Sequence, residues 1–383
     1  MRKGALTALL TAIMVVTTSL GISLAQGDTP FDPTYILIDT VSGQVLAEDG
    51  AHVRRAPASV TKVMTMLVAM EAIEQGKGSL DDIVRVSKKA AGIGGSQIYL
   101  AEGERISLED LMKAIAIASA NDACVAVAEH LAGTEEVFVT LMNKEAERLG
   151  LKDTRFTNTN GLPEDGHYSS AYDLAIMTRE LVLRYPSVLD WTSKRYTTIR
   201  DGKTTIYNTN KLLGQLDGLT GMKTGHTQNA GYCLSATASR GDEHRIAVVM
   251  GYQSDDSRWQ KARELVEYGF KAFDRLNPAS EGDVVGKVEV KDGVSLTVDA
   301  VAAGDLTFLV EVTKRDQVST RIIQEEVQAP IEKGTVVGRF VAFVGENEAN
   351  SVPVYAAEDV PKAAVHVRIW RSVVNFVKGL FSS

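Results

Sequence analysis

Three short strings carry residues that could do chemistry: Pro57-Ala58-Ser59-Val60-Thr61-Lys62, Ser119-Ala120-Asn121 and Lys223-Thr224-Gly225. A serine hydroxyl is a poor nucleophile until a base takes its proton. Residues three apart on a helix share a face, so the Lys62 ammonium can reach the Ser59 hydroxyl. A lysine held out of water and near other cations gives up its proton more readily, and could then serve as that base. A serine at the start of a helix also places its backbone N–H where positive partial charge gathers, one candidate donor for an oxyanion. Taken singly, none of the strings is specific. S-x-x-K arises by chance in long chains, mostly on solvated helix faces; here the segment that follows is apolar through Met70. Ser119 and Asn121 interrupt the apolar run AIAIASANDACVAVAEH, where they need polar partners, although either could simply cap the next helix. K-T-G is a common turn tripeptide whose glycine permits close approach of a ligand to the backbone.

The elements that must position these residues are legible in outline. TYILIDTVSGQVLAE (34–48) reads as a hairpin turning at Ser42-Gly43. The Ser59 helix runs to about Gln75-Gly76, and Gly92, Gly94 and Gly95 mark a surface loop system. Ser107-Leu108-Glu109-Asp110 opens the helix LEDLMKAIAIAS with a capping box, and a helix from about Asp122 to Leu131 stops at Gly133. EEVFVTLMNKEAERLG and SAYDLAIMTRELVLRYP are further helices. GYCLSATAS and HRIAVVMGYQ pair across Arg240-Gly241-Asp242, and a closing helix spans about Arg258 to Phe273. A strand, many helices and late strands describe a mixed α/β (α+β) domain whose antiparallel sheet uses both chain ends. After it come VVGKVEV, VSLTVDAV, LTFLVEV and TVVGRFVAFV, which read as a small all-β domain. The expected division is 1–25 leader, 26–275 catalytic domain, 276–358 β domain, and 359–383 linker and amphipathic helix.

The bulk properties narrow the setting. The chain has 383 residues and a net charge of −8, which gives it no global attraction for nucleic acid. Its start, with Arg2 and Lys3 before an uncharged apolar run ending at Ser23-Leu24-Ala25, has the form of a secretory leader. Export permits disulfides, yet Cys124 and Cys233 both sit in apolar segments and read as buried thiols. Neither cysteine has metal-ligand spacing and no H-E-x-x-H occurs among the six histidines, so no cofactor or metal is expected. At the other end, VPVYAAEDVPKAA reads as a linker to HVRIWRSVVNFVKGLFSS. In that last string Ile369, Val373, Phe376, Val377 and Leu380 fall on one helical face, with Trp370 and Phe381 at its margin, and Arg368, Arg371, Asn375 and Lys378 opposite. Such a helix suits the membrane interface and is too short and charged to span a bilayer.

The order of the three strings matches the motif set of class A β-lactamases and penicillin-binding proteins. The longer strings PASVTKVMT, ASANDACVAVAEH, NTNGLPEDGHYSSAYDLA and GMKTGHTQNAGYC resemble the D-alanyl-D-alanine carboxypeptidases, the low-molecular-mass penicillin-binding proteins. That resemblance implies an acyl-enzyme on Ser59, Lys62 as acylation base, and Ser119 and Lys223 relaying a proton to the leaving amine. It implies that Asn121 holds the substrate amide and orients Lys62. Lys223, Thr224 and Arg258 would bind the terminal carboxylate beside Gly225, and the N–H groups of Ser59 and His226 would form the oxyanion hole. It further implies peptidoglycan stem peptides as substrate, β-lactams as acylating inhibitors, and a place outside the cytoplasm with the tail as anchor. The family more often has glycine where Ala120 stands. Asp173 and His167 read as structural supports. A serine β-lactamase is the nearest rival, but NGLPEDGHYSS has Glu164 without an E-x-x-L-N pattern. A D-Ala endopeptidase is a second rival on the same fold. A non-catalytic penicillin sensor is expected to lose Ser59, Lys62 or Lys223, and all three are present.

Overall fold

The computed structural model describes residues 32–380. The leader expected over 1–25 and the closing Phe381 lie outside the described residues. The chain opens with β1 (Thr34–Asp39) and β2 (Val45–Asp49), paired antiparallel as the hairpin pattern predicts. Its turn is tied by the Ser42 hydroxyl and N–H, which both donate to the Asp39 carboxylate at 2.7 and 2.8 Å. The helical part follows as α1 (Lys62–Glu74), α2 (Asn121–Ala132), α3 (Glu135–Arg148) and α4 (Ala171–Arg184). Thr134 and Ser170 cap the last two by accepting an N–H of the first turn. The chain then returns to the sheet as β3 (Leu219–Thr227), β4 (Gly231–Arg240) and β5 (Glu243–Tyr252), before α5 (Asp255–Lys271). The sheet order is β2-β1-β5-β4-β3, antiparallel throughout.

Both faces of this sheet are covered. Ile36, Ile38, Val248 and Met250 face the core shared with α1, α2 and α4. Their neighbours Leu37, Ala247 and Val249 face α5 through Trp259, Leu265 and Val266. Burial on two sides is why IAVVMG is continuously apolar rather than alternating. α1 lies at the centre of the helical layer and is buried on nearly every side, as expected for a helix that is apolar all round.

The second domain is built from β6 (Phe273–Ala279), β7 (Val284–Glu289), β8 (Thr297–Ala302), β9 (Leu306–Glu311), β10 (Val318–Gln324), β11 (Val336–Val344) and β12 (Asn347–Ala356). Five of them form a sheet in the order β7-β8-β12-β11-β10, and β6 pairs with β9. Val288, Val298, Phe308, Val337 and Val354 fill the core. Polar contacts at Gln44, Asp39 and Glu243 fasten this domain to the first, Glu243 taking Arg275 at 2.6 Å. Gln44 donates to the Leu309 carbonyl at 2.8 Å and accepts its N–H at 3.0 Å. The buried Asp39 carboxylate takes Arg245 and Arg275, both at 2.8 Å.

Two expectations need correction. VPVYAAEDVPKAA is no linker: its first residues finish β12, Val354 and Val360 are buried, and Val360 exchanges backbone bonds with Ile331. The single helix expected over LEDLMKAIAIAS is divided into an α segment, Leu108–Lys113, and a wider π turn, Ala114–Ala118. Only the Ser107 half of its capping box forms. The widened turn ends in Ser119 at φ 61°, so the chain changes direction there instead of continuing as helix. The tail forms α6 (Val365–Leu380); its side chains from Asn375 onward lie outside the description. No described helix is long and apolar enough to cross a membrane.

Candidate active site

Ser59 sits in a 3₁₀ turn, Ala58–Thr61, and α1 begins only at Lys62. The helix expected at Ser59 therefore starts three residues later, yet the spacing works as anticipated. Lys62 is fully buried. Its ammonium donates to Ser59 Oγ at 2.8 Å, Asn121 Oδ1 at 2.7 Å and the Asn160 carbonyl at 2.7 Å. All three donors are used, and no carboxylate lies within ion-pair distance among the described residues. Burial pushes the Lys62 pKa down to about 8, against the opposing pull of Cys124 and Asp122. Lys223, on β3, is also buried, and its Nζ donates to the Thr224 carbonyl at 3.0 Å. Burial first, and then the Lys62 charge, hold it well below the usual lysine range. Two buried ammonium groups without carboxylates are costly to fold around, and that cost is why at least one is poised to lose a proton near neutrality.

The partners of Lys62 are themselves fixed. Asn121 donates from Nδ2 to the Gly94 carbonyl at 2.7 Å, which sets its Oδ1 toward the lysine, and its N–H donates to Ser96 at 2.7 Å. The glycine loop expected on the outer surface is thus a wall of the site. Asp122 anchors the far side of that loop by accepting the N–H groups of Ile98 and Leu100. Ser119 is nearly buried, two residues from Asn121. No hydrogen bond joins its hydroxyl to either lysine among the described residues. Its φ of 61° and the 47° of Ala58 place two non-glycine residues in the left-handed region beside Asn121 and Ser59, a conformation that costs about 1–3 kcal/mol each.

Gly225 is packed tightly against the serine turn. A Cβ there would lie 2.9 Å from the Pro57 carbonyl and 3.1 Å from the Ser59 nitrogen. The serine turn itself makes a close approach here. Thr224 Oγ1 meets Thr209 Oγ1 at 2.6 Å, and the exposed His226 ring stacks on Tyr232 at 4.1 Å. Arg258 departs from the free fork expected of a carboxylate clamp. Its Nη1 donates to the carbonyls of Gly225 at 3.2 Å and Cys233 at 3.1 Å, and Nη2 is bonded to Asp255. The guanidinium lies 3.9 Å from the Trp259 ring and supports β3 from beneath. Both cysteines are free and buried, with burial pushing the Cys124 thiol up to about 12. No group of three or more metal-ligating side chains occurs among the described residues.

Residues 31–254 match the family described as D-alanyl-D-alanine carboxypeptidase. The chain belongs to that family. Residues 273–362 match the C-terminal domain of penicillin-binding protein 5. The carboxypeptidase DacF of Bacillus subtilis (strain 168) is 39% identical over 348 residues, spanning 90% of this chain and 89% of the relative. Penicillin binding protein 5 from Haemophilus influenzae superposes with a TM-score of 0.77 at 33% identity, covering 86% of this chain and 97% of that one. Penicillin-binding protein D2 from Listeria monocytogenes, in an ampicillin-bound form, matches at 32% identity with a TM-score of 0.58 over 63% of this chain and 98% of its own. The protein is accordingly a serine D-Ala-D-Ala carboxypeptidase of the low-molecular-mass penicillin-binding type, and the β-lactamase, endopeptidase and sensor readings are not favoured.

Within the carboxypeptidase, residues without reactive side chains do much of the positioning. Asn160 contributes a backbone carbonyl to Lys62, and Gly161 lets that loop press on the serine turn. Neither role has a side-chain signature. His167 touches neither Ser59 nor Lys62; its ring lies 2.8 Å from the hydroxyl of Thr61, between them. Nδ1 accepts the Thr157 N–H at 3.1 Å, which leaves the proton on Nε2, donating to Thr61. Burial holds the imidazole pKa down to about 4; Glu164 opposes this and the Lys62 charge adds to it. Between pH 4 and 6.5 the unfolded chain binds the extra proton, so stability from this group rises with pH across that window and is lost as pH falls through it. His167→Gln is expected to flatten that dependence by up to about 3 kcal/mol, as read by urea unfolding at pH 4.5, 5.5 and 7. An unchanged slope would assign the acid sensitivity to other groups.

Proposed function

We propose that Ser59 is the acylating nucleophile and Lys62 the base that takes its proton. The contact that carries this reading is the 2.8 Å bond from the buried Lys62 ammonium to Ser59 Oγ, because a lysine with its pKa near 8 is neutral often enough to accept the hydroxyl proton. The Ser59 oxygen then attacks the penultimate D-alanine carbonyl of a stem pentapeptide. The negative charge that develops on the carbonyl oxygen is met by the N–H groups of Ser59 and His226, the second lying on an edge strand. Collapse of the adduct breaks the peptide bond. The proton passes by Ser119 and Lys223 to the amine of the departing D-alanine, and water cleaves the Ser59 ester. Asn121 receives the substrate amide while holding Lys62.

The terminal carboxylate is assigned to the Thr224 hydroxyl and the Lys223 charge, with Arg258 adding positive potential from behind Gly225 rather than a direct fork. A β-lactam enters by the same attack and stays as an ester, in keeping with the ampicillin-bound relative. The mature chain starts near Gln26 and works outside the cytoplasm, held to the outer face of the membrane by α6. The amphipathic pattern of α6 and its exposed Ile369 and Trp370 support this last assignment.

Intact-mass spectrometry after mixing with a penicillin tests the chemistry. A stable adduct that maps to Ser59, is released over hours and is missing in Ser59→Ala is the expected result. An untouched drug would reduce the constellation to a scaffold, and rapid hydrolysis of the drug would make the protein a β-lactamase.

A further inference from the structure

α6 turns its arginines inward. Arg371 donates to the carbonyls of Gly293 at 2.7 Å and Val294 at 3.1 Å, and Arg368 reaches the Asp292 carboxylate at 3.4 Å. These acceptors form the turn between β7 and β8. The same turn is bonded to the chain that leads into α6: the Val294 N–H donates to the Pro361 carbonyl, and the Ala363 N–H to that of Asp292, both at 2.8 Å. Turn and helix are thus one packed unit. A helix that packed on its own protein to hide its apolar face would do the reverse. Here Ile369 is 60% exposed and Trp370 68%, while on the adjoining turn Val294 is 60% and Leu296 53% exposed. Leu296, Trp370 and Val374 line one groove of about 590 Å³ between the two elements.

We propose that the Val294–Leu296 turn of the β domain enters the membrane interface together with α6, as a second contact on the same lipid surface. This rests on the membrane reading of α6 given above. Charge selects the occupant. From Lys362 onward the chain holds four lysines and arginines and no carboxylate side chain, on a protein of net charge −8, which fits anionic headgroups. The carbonyl bonds to Arg371 leave its charge in place, and it has no carboxylate within ion-pair distance among the described residues. Trp370 beside exposed aliphatic side chains is the composition of an interfacial surface. Because side-chain bonds pin the helix to the turn, α6 cannot sink into the interface without bringing Val294 and Leu296 to it. The β domain therefore meets the membrane in a defined orientation.

Binding of the mature full-length chain to vesicles of phosphatidylglycerol and phosphatidylethanolamine, measured by co-sedimentation, tests this. Val294→Ser with Leu296→Ser is expected to weaken partitioning at least tenfold, since two half-exposed aliphatic side chains would no longer be buried. Val137→Ser with Leu183→Ser, comparably exposed on the catalytic domain, should change nothing. The rate of acylation by penicillin serves as the check that all variants are folded. A wild-type chain that binds, with a turn variant that binds equally well, would overturn the second contact and leave α6 as sole anchor. A wild-type chain that fails to bind would remove the anchor reading and this inference with it. Equal loss in both variant pairs would mean that binding is not confined to this surface, and would also overturn the proposal.

Discussion

Replacing Lys62 with methionine is expected to slow acylation of Ser59 by about 10²- to 10⁴-fold, the range lost with a positioned general base. The side chain keeps nearly the same length and fills the same buried slot. Asn121 Oδ1 and the Asn160 carbonyl lose their donor, at about 1–3 kcal/mol for each acceptor left unsatisfied. Against this, the chain no longer buries an ammonium group. The two changes oppose each other, so the melting temperature should move by only a few degrees. The wild-type enzyme should acylate faster as pH rises, about tenfold per unit, and level off near pH 8 as the neutral fraction of Lys62 saturates. The variant should lack that limb. Stopped-flow acylation within tenfold of wild type, with the pH limb intact, would transfer the role of base to another group.

Gly161→Ala is expected to be as damaging by a route that involves no reactive group. At φ +84° its Cβ would stand 1.9 Å from the Ala58 carbonyl oxygen, 2.4 Å from its carbon and 2.8 Å from Thr61 Oγ1. The serine turn has no room to retreat, because Gly225 already closes its other side, with 2.9 Å from a Cβ there to the Pro57 carbonyl. Two glycines grip the turn like the jaws of a vice. Alanine at 161 must displace backbone in a close-packed region, at about 3 kcal/mol or more, together with the left-handed cost of about 1–2 kcal/mol. Acylation should fall more than 100-fold and the melting temperature by about 10 °C. Gly76→Ala, at φ +72° in open space, carries the backbone term alone and is the control. A Gly161→Ala enzyme with the melting point and acylation rate of the Gly76 control would refute the steric argument.

What the sequence disclosed and what it hid divide along a physical line. Side chains with chemical potential were visible: Ser59 and Lys62 are three apart, and the 3₁₀ turn leading into α1 does place one against the other. Hairpins with a loud turn signal, such as Ser42-Gly43 and Gly241-Asp242, were visible too. Hidden were features carried by the backbone. The left-handed Ala58, the carbonyl of Asn160, and the loop that offers Gly94 and Ser96 to Asn121 are matters of φ and of tertiary approach. No residue type announces them. The Ser254 capping box that starts α5 was also missed, because the apolar pattern that defines a helix begins only at Trp259. β12 is hard to read because Pro353 interrupts its pattern; the proline pairs with Arg339, one residue past a register shift along β11. Arg258 was the hardest case. Its position was legible, but not that its fork would be spent on the carbonyls of β3 and β4.

The joint at Gln44 and Asp39 bears on where in the wall such an enzyme can work. Gln44 reads both backbone groups of Leu309, and Asp39 ties an arginine from each domain. A hinge would have used a few exposed residues and no buried charge; this is a weld. Under the membrane reading of α6 proposed above, a welded waist would make the altitude of the cleft a constant of the fold. The peptides within its reach would then lie in one stratum of the wall, with the length of the β domain as the ruler.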